Sequence, residues 1–287
     1  MRPKLLLLGA SGQVGQSVSN LAGQYGLDCQ SVTRNQWDMA QNPTGAVSAL
    51  GHLLPDIIIN AAAYTAVDRA EEEPNLASAV NAESLVSLSE FALKLRIPIL
   101  HLSTDYVFDG QKKTPYSEED EVNPVSVYGQ TKLLGENYVR QTCEKHVIVR
   151  TSWVFSPDGS NFLKSILKAA EMHDQLRVVN DQFGGPTSAK CIAKVLLKIA
   201  SNYLNGASPV WGTFHFGGYP FVSWFEFANE ILSRSESGVE TKLIPCSSRD
   251  YKAKAQRPSN STLDMKKIKA SYDIDPCNWK EELNFII

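Results

Sequence analysis

The sequence predicts an α/β fold, in which a doubly wound parallel sheet carries helices on both faces and a smaller α/β lobe is formed mainly by the C-terminal part. Two observations support this prediction. Short apolar runs alternate with longer amphipathic segments over residues 4–155, the order expected of repeated β-α-β units. A glycine-rich stretch, GASGQVG, directly follows the first apolar run, where sheets of this kind often receive phosphate groups.

The elements follow from this alternation. The predicted strands of the first part are 4–9, 29–34, 55–63, the run that begins at 97, and 146–155, and the predicted helices are 13–25, 75–95 and 127–143. The run PDIIINAAA is continuously apolar, which is typical of a strand buried on both faces. Beyond residue 155 we expect helices at 160–173 and 187–204, a strand at 212–218 and an irregular remainder.

This pattern also predicts a division into two parts. Residues 1–152, together with about 187–216, are assigned to a Rossmann-type dinucleotide-binding domain. The segments from about 153 to 186 and from 217 to 287 are assigned to a substrate-binding lobe. Since no flexible linker separates them, we expect the two parts to pack closely.

Composition excludes several functional classes. The 287 residues carry a net charge of −3, with 28 basic and 31 acidic side chains, so no nucleic-acid surface is indicated. The five cysteines lie far apart and form no C-x-x-C, which predicts neither a disulfide framework nor a zinc site and fits a reducing cytoplasm. The first apolar run is too short for a signal or a membrane span, so we expect a cytoplasmic protein without a membrane partner.

The glycine loop predicts a dinucleotide site. Three glycines repeat as G-x-x-G-x-x-G between the first strand and the first helix. Small residues let the backbone approach a pyrophosphate, and the helix N-terminus offers free N–H groups. The residues of this predicted site are Gly9, Ser11, Gly12, Gln13, Val14 and Gly15. The alternative interpretation is an ordinary turn.

Two further segments complete the predicted cofactor site. Arg34 ends the predicted second strand, near the position where many NAD-binding folds carry an acid, and an arginine there favours the 2′-phosphate of NADPH over NADH. If Arg34 is instead a solvated loop charge and Asp38 faces the adenosine, both cofactors serve. At the end of the predicted third strand, Asn60, Ala61, Ala62 and Ala63 leave room for a flat ligand, although small residues also permit close helix–strand packing.

A tyrosine and a lysine lie four residues apart in the segment VYGQTKLLGENY. One helical turn places Tyr128 and Lys132 on the same face. An ammonium near a phenol should lower the tyrosine pKa from its ordinary ~10, which would let Tyr128 exchange a proton with a substrate oxygen. The alternative is a tyrosine that packs along a lysine stem on an exposed helix.

These motifs together resemble a known family. Thr104 precedes Tyr128 by 24 residues, and a Ser or Thr at this distance, with the glycine loop and Y-x-x-x-K, is typical of extended short-chain dehydrogenase/reductases. The segments NAAAYTAVDRAE, LSTDYVFDG, YGQTKLLGE, RTSWVF, DQFGGPT and RPSNSTLD are similar to those of the dTDP-4-dehydrorhamnose reductase family. The resemblance covers residues 4 to about 282.

The resemblance implies an NADPH- or NADH-dependent reduction of dTDP-4-dehydro-β-L-rhamnose to dTDP-β-L-rhamnose, a step in polysaccharide biosynthesis. It implies that Tyr128 donates the proton, that Lys132 stabilises the phenolate and binds the cofactor ribose, and that Thr104 hydrogen-bonds the reacting oxygen. The implied substrate contacts are Val67, Thr104, Asp105, Tyr128, Trp153 and Arg257. Arg257 would bind the substrate pyrophosphate, unless it belongs to an Arg-Pro turn in a polar tail.

The chain departs from the family at one point, and other functions stay open. Ser17, Lys190 and Lys194 occupy the region where relatives carry glutamates of a metal-bridged dimer, so we expect no metal site, and any homodimer should form without the bridge. Tyr106 stands where sugar dehydratases carry a glutamate, which disfavours elimination. Another nucleotide-sugar reductase or epimerase, and a non-catalytic subunit similar to the methionine adenosyltransferase β subunit, remain alternatives. Thymidine rather than uridine follows from the resemblance alone.

Overall fold

The structure, a computed structural model, describes residues 2–235, 241–251 and 253–287. Its strands are β1 (Lys4–Leu8), β2 (Asp28–Val32), β3 (Ile57–Asn60), β4 (Ile99–Thr104), β5 (His146–Thr151), β6 (Val154–Phe155), β7 (Gln175–Val179), β8 (Phe183–Gly184), β9 (Thr187–Ser188), β10 (Gly212–His215), β11 (Gly218–Tyr219), β12 (Val222–Ser223), β13 (Lys242–Cys246), β14 (Asn260–Ser261) and β15 (Cys277–Asn278).

The helices alternate with these strands through the first part of the chain. They are α1 (Gln13–Leu21), α2 (Ala46–Leu50), α3 (Val67–Ala70), α4 (Pro74–Ser78), α5 (Ser84–Leu95), α6 (Val127–Thr142), α7 (Phe162–Ala170), α8 (Ala189–Leu204), α9 (Trp224–Arg234), α10 (Lys266–Tyr272) and α11 (Trp279–Leu283). Short 3₁₀ helices cover Ala22–Tyr25 and Asp105–Val107, and a π-helical turn covers Ala79–Glu83.

Within the described residues, the central sheet has six parallel strands in the order β2-β1-β3-β4-β5-β10. The chain therefore leaves β1 in one direction to form β2 and returns on its other side to form β3. At such a reversal the loops diverge at the carboxyl ends of the strands and open a crevice. The doubly wound α/β fold that the sequence predicts is confirmed.

The sheet is buried on both faces. Leu5 and Leu7 of β1 pack with α1 and α8, whereas Leu6 and Leu8 pack with α5. All four side chains are at most 1% exposed, and full burial of a leucine contributes about 1.5–3 kcal/mol to folding. Because both faces are covered, the strand sequence is continuously apolar rather than alternating.

A separate cluster of apolar side chains forms the core of the second part, between α7, α9, α11 and β7. The prediction of an irregular C-terminal region is wrong here, because α9 spans Trp224–Arg234. A capping box begins this helix: the Ser223 hydroxyl accepts from the N–H of Glu226, and the Glu226 carboxylate accepts from the N–H of Ser223. The domain boundaries stay a prediction, which this separate core supports.

Several predicted boundaries shift in ways that matter for the site. β3 ends at Asn60 and β2 at Val32, so residues 61–63 and Arg34 lie in loops beyond their strands. The strand predicted at 146–155 is interrupted at Trp153, whose φ of 49° is left-handed. Among the helices of the described ranges, none is long and apolar enough to span a membrane.

Candidate active site

Two glycines let the loop after β1 pack tightly against its neighbours. A Cβ on Gly9, whose φ is +79°, would lie 2.5 Å from the amide nitrogen of Ala62. A Cβ on Gly15 would lie 2.0 Å from the carbonyl oxygen of Gly9. Gly12 differs, because it is exposed and, among the atoms of the described residues, its Cβ would meet only that same oxygen, at 3.4 Å. The space outside Gly12 is therefore free for a ligand.

The N-terminus of α1 is suited to bind an anion. Of the described residues, none caps this helix with its side chain, and its first turn holds no acid. The first-turn N–H groups, with the positive end of the helix dipole, face the crevice after β1 and β3. The small residues Ala61, Ala62 and Ala63 follow β3 beside the loop. These features fit the pyrophosphate of a dinucleotide.

Gln13 has a different side-chain environment from the rest of the loop. Its Oε1 accepts hydrogen bonds from Ser156 Oγ at 3.0 Å and from Asn161 Nδ2 at 2.8 Å. The side chain of Gln13 is thus engaged within the protein and ties the glycine loop to the segment before α7.

Arg34 and Asp38 follow β2 on the other side of the crevice. Arg34 is exposed, and in the described part of the chain it forms no ion pair. Asp38 Oδ1 accepts from the N–H of Ala40 at 2.9 Å, so this carboxylate helps to fix the loop. Arg34 is consequently free to bind an anion at the end of β2.

Thr104 and Tyr128 meet at the carboxyl end of β4. The Thr104 hydroxyl donates to Asp105 Oδ1 at 3.0 Å and accepts from the N–H of Tyr106 at 3.2 Å. The Ser126 hydroxyl caps α6 by accepting from Gly129 N–H, which places Tyr128 in the first helical turn. The rings of Tyr106 and Tyr128 pack edge to face, with centroids 5.6 Å apart.

Helix α6 approaches this turn closely and is anchored beneath it. A Cβ on Gly129 would lie 2.2 Å from the carbonyl oxygen of Tyr106, so only glycine allows this approach. Further along α6, the buried carboxylate of Glu136 accepts hydrogen bonds from Arg150 at 2.7 and 3.0 Å and from Ser103 at 2.5 Å. These contacts join α6 to β5 and β4 and thereby fix Tyr128 and Lys132 relative to Thr104.

The electrostatics of Tyr128 differ from the sequence expectation. Burial raises the pKa of Tyr128 to about 12; the Thr104 hydroxyl opposes this change, and the charge of Asp105 adds to it. Lys132 does not lower this pKa, because its ammonium group is directed away: Nζ lies 2.8 Å from Leu102 O and 3.3 Å from His101 Nε2. Tyr128 therefore keeps its proton at neutral pH, as a proton donor must.

Two neighbours have unusual protonation equilibria. Burial lowers the pKa of Lys132 to about 8, although the negative charge of Glu136 acts to raise it. Burial also raises the pKa of Asp105 to about 7, although hydrogen bonds with Ser261 and Thr104 act to lower it. Asp105 Oδ2 is buried and has no hydrogen-bond partner among the described residues, so a polar atom beside Tyr128 is left for a ligand.

A cleft of about 720 Å³ lies between α7, β7 and the residues 248–251 and 253–257. Its lining combines aromatic rings with cationic side chains, namely Phe162, Trp224, Tyr251, Arg177, Arg249, Lys254 and Arg257. Tyr128 is not among the described residues that line this cleft. Tyr106 connects the cleft with Tyr128, because it contacts the Tyr128 ring and interacts with Arg257 of the cleft lining.

The remaining predicted substrate contacts lie around the cleft. Arg257 Nη2 donates to Asp68 Oδ2 at 2.9 Å, and Val67 precedes Asp68 at the start of α3. Trp153 stacks on Trp224, with ring centroids 3.5 Å apart and planes 9° from parallel. Arg257 therefore faces the cleft and is not part of a polar tail.

The whole chain is similar to one family of enzymes. Residues 3–287 match the family model described as RmlD substrate binding domain. The dTDP-4-dehydrorhamnose reductase of Aggregatibacter actinomycetemcomitans is 40% identical, over 99% of this chain and 98% of the relative. The chain belongs to the dTDP-4-dehydrorhamnose reductase family.

Solved structures of the reductase family agree with this assignment. A reductase from Clostridium acetobutylicum ATCC 824 has a TM-score of 0.89 and 36% identity, over 99% of this chain and 98% of that one. A reductase from Bacillus anthracis str. Ames in complex with NADP has a TM-score of 0.91 and 28% identity, over 100% and 99% of the two chains. The Rossmann-type fold of extended short-chain dehydrogenase/reductases is thus shared along the full length.

Sequence reasoning missed part of the site. His101 was missed: it contacts Asn60 and Lys132, and its only local signal was a lone histidine in the apolar strand ILHLST. Tyr251 and Arg249 of the cleft were also missed. Nothing local in the segment SSRDY marks a cleft, because its position depends on how the C-terminal part folds back over α7.

Proposed function

We propose that this protein reduces dTDP-4-dehydro-β-L-rhamnose to dTDP-β-L-rhamnose with NADPH. One observation carries the proposal: Thr104 and Tyr128 come together at the carboxyl end of β4, beside the crevice formed after β1 and β3, and Lys132 bonds to Leu102 of the same strand. The loops after these three neighbouring strands hold the two halves of an oxidoreductase site. The names of the relatives and the NADP complex of one of them support the same reaction.

The cofactor would be held by the residues that fit it. The first-turn N–H groups of α1 would bind the pyrophosphate, Arg34 the 2′-phosphate, and Lys132 the ribose nearest the reacting ring. Ala61 to Ala63 would flank the cofactor. When bound, the cofactor supplies a hydride to the carbonyl carbon of the sugar.

The chain's own residues then manage the charge on the carbonyl oxygen. Thr104 and Tyr128 direct their hydroxyl groups to this oxygen, where negative charge grows. Tyr128 gives up its proton as a general acid. This step suits a tyrosine whose pKa is about 12, since it is fully protonated before the reaction.

The nucleotide part of the substrate would occupy the cleft. Arg257 would bind the diphosphate in a bidentate way, with Arg249 and Lys254 nearby on the rim, and the rings of Phe162 and Trp224 would pack against the base and sugar. In the ligand-free protein Asp68 holds Arg257. A diphosphate carries more negative charge than one carboxylate and therefore competes for the guanidinium group.

We further propose a cytoplasmic enzyme whose dimerisation, if it occurs, needs no metal bridge. Where relatives are expected to carry glutamates, Ser17 donates to Gln13 O at 3.2 Å and Lys190 Nζ lies 5.1 Å from the Phe285 ring centre. An ammonium group at this position repels a divalent cation.

The proposed function is tested by steady-state assays with dTDP- and UDP-linked 4-keto sugars and with NADPH and NADH. We expect NADPH consumption that depends on the dTDP-4-keto sugar and is lost in Tyr128→Phe. A protein that binds the cofactor but consumes none with any acceptor would instead act as a binding subunit, and this result would overturn the proposal.

A further inference from the structure

The side chain of Gln13 links two parts of the chain that are far apart in sequence. Its Oε1 accepts hydrogen bonds from Ser156 Oγ at 3.0 Å and from Asn161 Nδ2 at 2.8 Å. These partners lie 143 and 148 residues further along the chain, in the segment 156–161 that joins β6 to α7. Since Gln13 is the first residue of α1, the bonds connect the glycine loop directly with the start of α7.

Asn161 is the firmer of the two partners. The Ser156 hydroxyl has one proton, which it can give either to Gln13 or to Asp158 O at 2.6 Å. The Asn161 amide has two protons, so it can bond to Gln13 and to Ser156 O at the same time, both at 2.8 Å. Its oxygen accepts from the N–H of Lys164 at 3.0 Å and caps α7, which leaves the NH₂ group to face Gln13.

The segment 156–161 wraps closely around the Gln13 side chain. Gly159 has a left-handed φ of +70°, and a Cβ on it would lie 3.2 Å from Cγ of Gln13. Ser156 is buried, and Gln13 and Asn161 are half-buried. Hydrogen bonds are stronger where water is partly excluded, so the position of this segment depends on Gln13.

The start of α7 in turn carries part of the cleft wall. Phe162 is the first residue of α7, and both it and Ser165 line the cleft. The Phe162 ring packs on Trp224, with ring centroids 4.4 Å apart, and Trp224 stacks on Trp153. A shift of the α7 N-terminus would therefore move the aromatic surface against which the base and sugar of a nucleotide would pack.

The main chain of Gln13 belongs to the proposed pyrophosphate site. In an α-helix the first N–H groups have no partner within the helix, and Gln13 contributes one of them to α1. An anion bound there restrains the backbone at residue 13, and hence the base of the side chain that holds the segment 156–161. The same residue thus serves one ligand site through its main chain and supports the other through its side chain.

We propose that Gln13 is a positioning residue that couples the two ligand sites, so that a dinucleotide bound at α1 strengthens the binding of a nucleoside diphosphate in the cleft, and the reverse. The first ligand fixes the bonded arrangement of the glycine loop and the segment 156–161, and the second ligand then binds without the cost of ordering it. Such coupling is reciprocal. The placement of the two ligands rests on the proposed function, whereas the coupling itself needs no turnover.

The coupling is measured by calorimetric titration of dTDP with and without saturating NADPH, and by titration of NADPH with and without dTDP. Because dTDP carries no sugar to be reduced, both measurements are made at equilibrium. The coupling factor is the ratio of the two dissociation constants of one ligand. We expect a factor of about five or more in the unmodified protein, which is within the usual range for coupled sites, and the same factor from either ligand.

Three variants test the role of the bond itself. Gln13→Ala removes the acceptor and should abolish the coupling. Gln13→Glu keeps an oxygen that accepts both bonds, so it should retain the coupling even if its charge weakens NADPH binding. Asn161→Ser keeps a good N-cap for α7 but is too short to reach Gln13, so it should lose the coupling from the other side of the bond.

Gln16→Ala is the matched control, because Gln16 Nε2 donates to Ser11 O at 2.9 Å within the glycine loop. The inference is overturned if the unmodified protein binds both ligands without coupling, if Gln13→Ala keeps the full factor, or if Gln16→Ala or Gln13→Glu loses as much of it as Gln13→Ala. If Gln13→Ala does not fold, Asn161→Ser decides by the same ratio.

The failure of this inference is distinct from the failure of the proposed function. An uncoupled protein that still reduces the keto sugar would overturn the inference alone. A coupled protein without turnover would overturn the reduction alone, and a protein that fails to bind NADPH or dTDP would overturn both.

Discussion

At the scale of single residues, the main result is the opposite direction of two pKa changes. Burial raises the pKa of Tyr128 to about 12 and lowers that of Lys132 to about 8. Removing water disfavours every charged form, so the pKa of an acid rises and that of a base falls, and the pKa values of these two residues move apart. The sequence pattern predicts the pairing of these residues but not this outcome, because pattern alone does not reveal how deeply a helix face is buried.

Replacement of Tyr128 by phenylalanine tests the proton donor. The ring and its contact with Tyr106 remain, and only the hydroxyl is lost. We expect unchanged NADPH binding and a fall in kcat of at least ~10²-fold, as is typical for loss of a general acid. Stopped-flow and equilibrium titrations separate the two effects, and a kcat within a factor of a few of the unmodified protein would exclude this role.

Replacement of Arg34 by alanine tests the preference for NADPH. A charge-assisted contact with the 2′-phosphate contributes about 1.5–3 kcal/mol, so NADPH affinity should fall by roughly ten- to a hundredfold while NADH affinity stays the same. Lys4→Ala, which removes a half-buried charge at the start of β1, is the control. Equal losses for both cofactors, or none, would show that Arg34 does not bind the phosphate.

At the scale of elements, glycines decide how closely helices approach the site. The sequence predicts the glycine loop and α6 well, because both depend on local signals. It does not predict the break at Trp153 or the place of the segment 248–257, since these depend on contacts distant in sequence. The capping box of α9 is a local signal that was present in the sequence and was overlooked.

A methyl group at Gly129 should separate α6 from the turn after β4. In Gly129→Ala the new Cβ would meet the backbone oxygen of Tyr106 at 2.2 Å, so Tyr128 must shift away from Thr104. We expect kcat to fall by about ten- to a hundredfold, since misplacement by about 1 Å can have this effect, in a protein that still shows native circular dichroism.

Gly23→Ala is the matched control for this change. No atom of the described residues lies within 4 Å of a Cβ built on Gly23, and its backbone conformation accepts alanine. Activity equal to that of Gly23→Ala would contradict the role assigned to the contact between Gly129 and Tyr106.

At the scale of the whole molecule, the stability should depend on pH through Asp105. Its pKa is about 7 in the folded protein and near the ordinary ~3.9 in the unfolded chain. The protonated acid therefore favours the folded state fully below pH ~4, and this contribution is lost as the pH rises to about 7. Urea unfolding between pH 4 and 8 should show the decline, and Asp105→Asn should reduce it. An identical decline in this variant would assign it to other groups.

As a whole, the molecule is proposed to reduce a keto sugar with a proton from Tyr128. The most direct measurement incubates the protein with NADPH and dTDP-4-dehydro-β-L-rhamnose and identifies the product by mass spectrometry and NMR. We predict one product that has gained two hydrogens and carries a hydroxyl at C4, with one NADPH consumed for each molecule formed and almost none formed by Tyr128→Phe. An unchanged sugar, an epimer of the same mass, or equal product from Tyr128→Phe would contradict the claim.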